Sequence, residues 1–283
     1  MDGDKLPIRE FNLDEMCENP SIIMIAKRGS GKSWITKAIL HKYRHIPVGL
    51  VISPTDKDNP FFVDFFPDTF IFYKYDSNIL KKLLMRQKLI LKKSREKRKE
   101  GKYIDPRAIV VMDDCLASKG KWAKDPLIYE MLFNGRHRQL MYILTMQYPL
   151  GITPELRSNF DYVFLLAEDY VSNLKRIYDH YAGMFPDFNS FRQVFRTLTE
   201  DFGAMVIKNR GSRLTLFDKI AFYKAPDLKN DKIEFGCEQF QKFHKKNFNS
   251  KWEDDANNVD YDEFLFNKKK EKSKLEIKRV YKE

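Results

Sequence analysis

The stretch SIIMIAKRGSGKS, residues 21–33, constrains this chain more than any other. Residues 21–26 form a short apolar run, the mark of a strand covered on both faces. Gly29-Ser30-Gly31 breaks the run, and residues 32–43 then read as a helix with Trp34, Ala38 and Ile39 on one side. Ala26 to Ser33 matches the phosphate-loop pattern G-x-x-x-x-G-K-[ST] at three of its four fixed positions, with Ala26 standing where the first glycine would be. Each residue type has a physical reason. Gly29 and Gly31 let successive backbone N–H groups turn toward one anion. The start of the helix adds its positive dipole end. Lys32 brings a charge to the β- and γ-phosphates of a nucleotide, and Ser33 a hydroxyl for Mg2+. Lys27, Arg28, Gly29, Ser30, Gly31, Lys32, Ser33 and Trp34 are therefore the candidate ATP-binding residues. The bland alternative is a glycine-rich turn between a strand and a helix.

Further strand patterns fall at 48–53, 69–74, 108–112, 141–146 and 162–167, and helical ones at 78–99, 125–134, 170–181 and 189–198. Strands alternating with helices predict an α/β fold with a mainly parallel central sheet flanked by helices. Two antiparallel strands are expected at 203–208 and 213–217, on either side of the turn signal Asn209-Arg210-Gly211. After about Pro226 the periodicity fades. An ATPase domain over 1–226 and a charged, partly disordered extension over 227–283 are expected. With 43% hydrophobic residues among 283, the chain can build a sizeable core, which excludes wholesale disorder. No apolar run approaches the roughly 18 residues of a membrane-spanning helix, and residues 1–10 do not read as a secretory signal. Three scattered cysteines, Cys17, Cys115 and Cys237, argue against a disulfide scaffold or a zinc module, so a reducing, intracellular compartment is expected. The net charge of +11 is concentrated. Residues 81–102 hold eleven Lys/Arg against two Glu, and 268–283 hold eight against three, which leaves the body nearly neutral. Such segments fit a polyanion such as nucleic acid, or else a solvated helix face and a disordered tail.

Ile109-Val110-Val111-Met112-Asp113-Asp114 is an apolar strand that ends in two carboxylates. Asp113 would orient the Mg2+ shell, and Asp114 would polarise an attacking water; Asp114 could instead serve as a helix cap or loop residue. The 81 residues from Lys32 to Asp113 leave room for extra strands between the two, which suits motor-type ATPases better than small nucleotide kinases or GTPases. Gln147 ends the next apolar strand. It can bond a γ-phosphate and sense the nucleotide, or simply face solvent. A ring ATPase also needs a cation that reaches a neighbour's γ-phosphate. Arg136, Arg138 and Arg157 are candidates, with Arg28 available within the same subunit.

The order phosphate loop, apolar-Asp-Asp, Gly135-Arg136-His137, strand-Gln147 and Arg157-Ser158-Asn159 resembles the genome-packaging ATPases of poxviruses and other nucleocytoplasmic large DNA viruses. These belong to the FtsK–HerA group of P-loop motors, and the resemblance covers residues 21–164. It implies a RecA-like, ASCE-type P-loop ATPase that works as an oligomeric ring with ATP and Mg2+. The implied partners are double-stranded DNA and viral capsid or portal components, and the implied location is the virion or the viral assembly site in the host cytoplasm. By the same resemblance Lys32 and Ser33 bind phosphate and metal, Asp113 holds Mg2+, Asp114 is the catalytic carboxylate and Gln147 the sensor. Arg136 is the first choice for a finger into the next subunit, and Arg157 the second. A HerA-like cellular translocase or helicase, and a nucleotide-gated scaffold without useful turnover, are the alternatives.

Two further stretches have plainer readings. The rings of residues 61–67 are expected to pack under the sheet. The acidic residues within 252–263 could pair with the basic tail that follows.

Overall fold

The computed structural model describes residues 7–115, 122–211 and 215–249. Within them one sheet has the order β3-β2-β4-β5-β1-β6-β7-β8. Its strands are β1 Ser21–Ile25, β2 Val48–Ile52, β3 Ile71–Phe72, β4 Ala108–Asp113, β5 Leu140–Met146, β6 Tyr162–Leu166, β7 Ala204–Lys208 and β8 Ile220–Tyr223. Every pairing from β3 across to β6 is parallel, and the last two are antiparallel. The helices are α1 Lys32–Lys42, α2 Ser77–Lys99, α3 Pro126–Asn134, α4 Pro154–Arg157, α5 Val171–Tyr181, α6 Phe188–Leu198, α7 Leu216–Lys219 and α8 Glu238–Asn247.

Alternation along each strand builds two cores. Ala108, Val110 and Met112 of β4 join Leu80 and Leu84 of α2, Ile128 and Met131 of α3, Ile177 of α5 and Phe195 of α6. Ile109 and Val111 point the other way, to Ile35, Ala38 and Ile39 of α1 and to Phe62, Phe65 and Phe66. Because both faces are covered, the central strands are apolar except at Ser21, Asp113 and Thr145, and all of β5 is buried. The aromatic run 61–67 thus packs as expected. Trp34 does not share the buried side of α1: it is exposed, because the helical turn between it and Ile35 swings it off that face.

Several expectations need correction. The strand expected at 69–74 shrinks to Ile71–Phe72, because Asp68–Phe70 take a 3-10 turn. The strand expected at 213–217 does not form in its described part. Thr215 and Asp218 make a capping box that starts α7, and the antiparallel partner of β7 is β8. Residues 212–214 lie outside the described residues, as do 252–263 and 268–283. The core also continues past 226. Leu228, Ile233, Phe235 and Phe240 are buried, with Phe235 stacked on Phe66 at 4.7 Å and Phe240 on Phe70 at 4.2 Å. The main compact unit runs to His244.

Candidate nucleotide-binding site

Three motifs distant in sequence meet because their strands are neighbours. β5 lies between β4 and β1, with Asp113 opposite Thr145 and Ile25 opposite Met146. The phosphate loop, the Asp pair and Gln147 therefore share the carboxyl edge of the sheet, where open parallel sheets bind ligands. Ala26 N–H donates to Met146 O at 2.9 Å, so the first loop residue still runs in the sheet and makes no demand for glycine. Gly29 and Gly31 are at φ 77° and 97°, where a side chain would strain the backbone.

Lys32 Nζ pairs with Asp114 Oδ2 and lies 3.2 Å from Asp113 Oδ1. Gln147 Nε2 donates to Asp114 Oδ2 at 3.0 Å. Thr145 Oγ1 donates to Asp113 Oδ1 at 2.5 Å, and Ser53 Oγ to Asp113 Oδ2 at 3.2 Å, so both Asp113 oxygens are fixed from neighbouring strands. Asp114 has left-handed backbone, φ 48°, a conformation that a non-glycine residue holds only when its surroundings impose it. Its N–H is held by Thr145 O and Oγ1, each at 3.3 Å. Asp114 Oδ1 is buried with no hydrogen-bond partner among the described residues. Burial, with the charges of Asp113 and Asp114 close by, pushes the Cys115 thiol well above its ordinary range, so it is an inert packing residue. Ser30 is buried with its hydroxyl on Lys27 O at 2.7 Å, which braces the loop from within. Arg28, Ser33 and Trp34 are exposed at the mouth, and Lys27 pairs with Asp169 beyond β6.

The arginines lie elsewhere. Arg136 begins a 3-10 turn just before β5, at the amino ends of β5, β1 and β6. Its Nη2 is 2.5 Å from Asp161 Oδ1, and Asp161 Oδ2 accepts from the Ser21 N–H at 2.9 Å. The side chain is still half exposed. The five residues of β1, about 17 Å of strand at 3.3 Å each, separate this edge from the phosphate loop. Arg136 therefore does not reach its own subunit's loop. Arg138 pairs with Glu130. Arg157 is buried, its guanidinium 5.7 Å over the Tyr181 ring and its Nη1 unpartnered among the described residues.

Sequence reasoning assigned no role to Ser53 and Thr145. The signal was present, a polar residue at the carboxyl end of an apolar strand, but its partner is visible only once the strand order is known. The donor set fits a magnesium-bound nucleoside triphosphate. It offers one ammonium, one exposed hydroxyl, one carboxylate held at both oxygens and one with a buried oxygen unpartnered among the described residues.

The poxvirus A32 protein family matches residues 8–187, more than half of the chain. Among relatives, uncharacterized protein L437 of Acanthamoeba polyphaga mimivirus is 46% identical over 279 residues, covering 98% of this chain and 97% of its own. Uncharacterized protein 075L of Invertebrate iridescent virus 6 is 34% identical over 257 residues, covering 89% and 94%. Among solved structures, B204, the DNA-packaging ATPase of Sulfolobus turreted icosahedral virus, superposes with a TM-score of 0.53 at 15% identity, covering 75% of this chain and all of that one. The pCW3 conjugation coupling protein TcpA, solved with ATPγS, gives 0.53 at 16%, covering 76% and 62%. At such identities the likeness is one of fold, and the fold is that of the P-loop ATPases. On the extent of the family match and the near full-length viral relatives, this chain belongs to the poxvirus A32 protein family.

Proposed function

We propose that this chain is an ATP-hydrolysing motor that moves double-stranded DNA into a viral capsid, working as a homo-oligomeric ring with Mg2+. The observation that carries the proposal is the meeting of Lys32, Asp113, Asp114 and Gln147 on one sheet edge, with Arg136 on the opposite edge. When bound, Mg·ATP supplies the phosphoanhydride and the divalent charge that screens it. Lys32 would hold the β- and γ-phosphates, and Ser33 and Asp113 the metal. Asp114 Oδ1, buried and free, is the atom suited to take a proton from the attacking water, with Gln147 orienting Asp114 Oδ2. Arg136 suits a role in trans, because its exposed guanidinium is remote from its own loop. Arg157 suits it less, being buried on Tyr181.

For the DNA, the candidate surface is α2. Lys81, Lys82, Lys88, Lys92, Lys93, Arg95, Arg98 and Lys99 are exposed along it. At 23 residues it is about 34 Å long, against about 20 Å for the six-residue β4 beside it. Gln87 Nε2 fixes its middle to Arg138 O at 2.7 Å, at the amino edge of the sheet, so the cationic second half extends beyond the Arg136 turn. Phosphate contacts of this kind suit a motor that must move any sequence. Capsid or portal components are the further partners proposed, and the viral assembly site the place of action. No helix among the described residues is long and apolar enough to cross a membrane. The test is ATP hydrolysis with Mg2+: wild-type protein turns over, and Lys32→Ala, which removes the phosphate-binding charge, does not. Equal turnover by the two would overturn the assignment.

A further inference from the structure

β1 has β5 on one side and β6 on the other. Lys32, Asp114 and Gln147 gather on the β5 side, so a triphosphate with its γ end among them lays its nucleoside end toward β6 and β7. On that side Phe202, just ahead of β7, lies against the phosphate loop. A Cβ placed on Gly31 would stand 3.3 Å from Phe202 Cβ and 3.6 Å from its Cδ1. The side chain is nonetheless 66% exposed.

The backbone that presents this ring is strained and held. Asp201 and Phe202 are both left-handed, at φ 48° and 63°; aspartate tolerates this region, but a bulky phenylalanine rarely adopts it. The turn leaves no slack. Gly203 N–H donates to Glu200 O at 2.8 Å, and a Cβ at 203 would come within 2.5 Å of Leu198 O. Buried Thr199 ties the turn to α6 through Phe195 O at 2.8 Å. Packing does not account for the choice of Phe, since a ring so exposed gains little from burial, and glycine would relieve the strain. Strain of this kind, kept by surroundings that over-determine it, gathers where a ligand is held.

We propose that Phe202 is the base-stacking platform of the nucleotide site and selects purine nucleotides. The proposal rests on the phosphate-loop reading above and adds the recognition of the base. A ring held by a rigid turn loses little freedom when a base stacks on it. Phe has no hydrogen-bonding edge, so it discriminates by the size of the facing π-system, purine over pyrimidine, and hardly between adenine and guanine.

Isothermal titration calorimetry of the full chain with ADP, CDP and inorganic tripolyphosphate tests it. The wild type should bind ADP more tightly than CDP. Phe202→Ala should weaken ADP by roughly 5- to 150-fold, the range of one base–aromatic stack, and erase the preference over CDP. Tripolyphosphate, which has no base, should bind both proteins alike, and Phe202→Tyr should keep the wild-type pattern. An unchanged ADP affinity in Phe202→Ala, with tripolyphosphate bound by both, overturns the platform and leaves the phosphate loop standing. Parallel loss of ADP and tripolyphosphate also overturns it, making Phe202 a prop for Gly31. A wild type that binds neither ligand overturns the phosphate-loop reading, and the platform with it.

Discussion

Asp113 and Asp114 are chemically identical neighbours, and their surroundings set them apart. Asp113 has both oxygens tied by Ser53 and Thr145, the environment of a group that must hold one orientation. Asp114 has one oxygen shared by Lys32 and Gln147 and one buried without a partner among the described residues. The second arrangement suits a base, which must accept a proton rather than hold a position. Asp114→Asn protein should therefore bind Mg·ATP as the wild type does and hydrolyse it about 10²-fold or more slowly, the scale of general-base loss. Parallel nucleotide-binding titrations and steady-state rates would check this. If binding fails instead, the roles of the two aspartates must be exchanged. Asp113, Asp114, Lys32 and Gln147 could be singled out as candidates because each lies in a contiguous motif. Ser53 and Thr145 could not, because their meaning lies in pairings across strands rather than in spacing along the chain.

Among the elements, α2 and α3 are joined by one carboxylate. Asp125 caps α3 through the Leu127 N–H at 2.8 Å and accepts from the Tyr75 hydroxyl at 2.6 Å and from Ser77 at the start of α2. Burial works to raise its pKa, but the hydrogen bonds from Ser77, Tyr75 and Leu127 outweigh it and hold the carboxyl below its usual range. A carboxylate depressed by folding stabilises fully above its unfolded pKa, near 4, and loses that contribution as pH falls through the folded value. Asp125→Ala should lower stability by about 1 kcal/mol at neutral pH, a typical cap loss, and the difference from wild type should shrink on acidification below about pH 4. Urea melts at pH 7 and pH 3 would measure both effects. The cations of α2 make a separate prediction. Changing Lys92, Lys93, Arg95 and Arg98 to Gln should weaken duplex binding and flatten its log–log salt slope by about 0.9 per lost phosphate contact, with DNA-free hydrolysis nearly intact. An unchanged slope would move the DNA surface off α2. The long helices were legible from their periodicity. The antiparallel partner of β7 lies later than the Asn209-Arg210-Gly211 turn suggests, because the Thr215–Asp218 capping box starts α7 first and leaves β8 to begin at Ile220. The packing of Phe235 and Phe240 was hidden because single aromatic residues in a polar stretch carry no period.

At the scale of the whole molecule, the length of the strands separates two sets of residues to which the proposal gives different roles. The candidate nucleotide-binding residues sit at the carboxyl edge, while Arg136 and the projecting end of α2 sit at the amino edge. In the proposed ring, a subunit so built would complete a neighbour's site rather than its own. Mixing Arg136→Ala with Lys32→Ala protein should therefore restore part of the turnover that each lacks alone, because some junctions pair an intact loop with an intact arginine. No recovery in rings verified as mixed would remove Arg136 from the finger role.

Movement along DNA is what separates a motor from a nucleotide-binding scaffold. A third strand bound to duplex DNA as a triplex is displaced by a translocating motor and by nothing that only binds. Wild-type protein with Mg·ATP should release the third strand whatever the flanking sequence, with hydrolysis stimulated by the duplex, and Lys32→Ala and Asp114→Asn should not release it. Duplex binding and ATP turnover by the wild type without release of the third strand would contradict a motor.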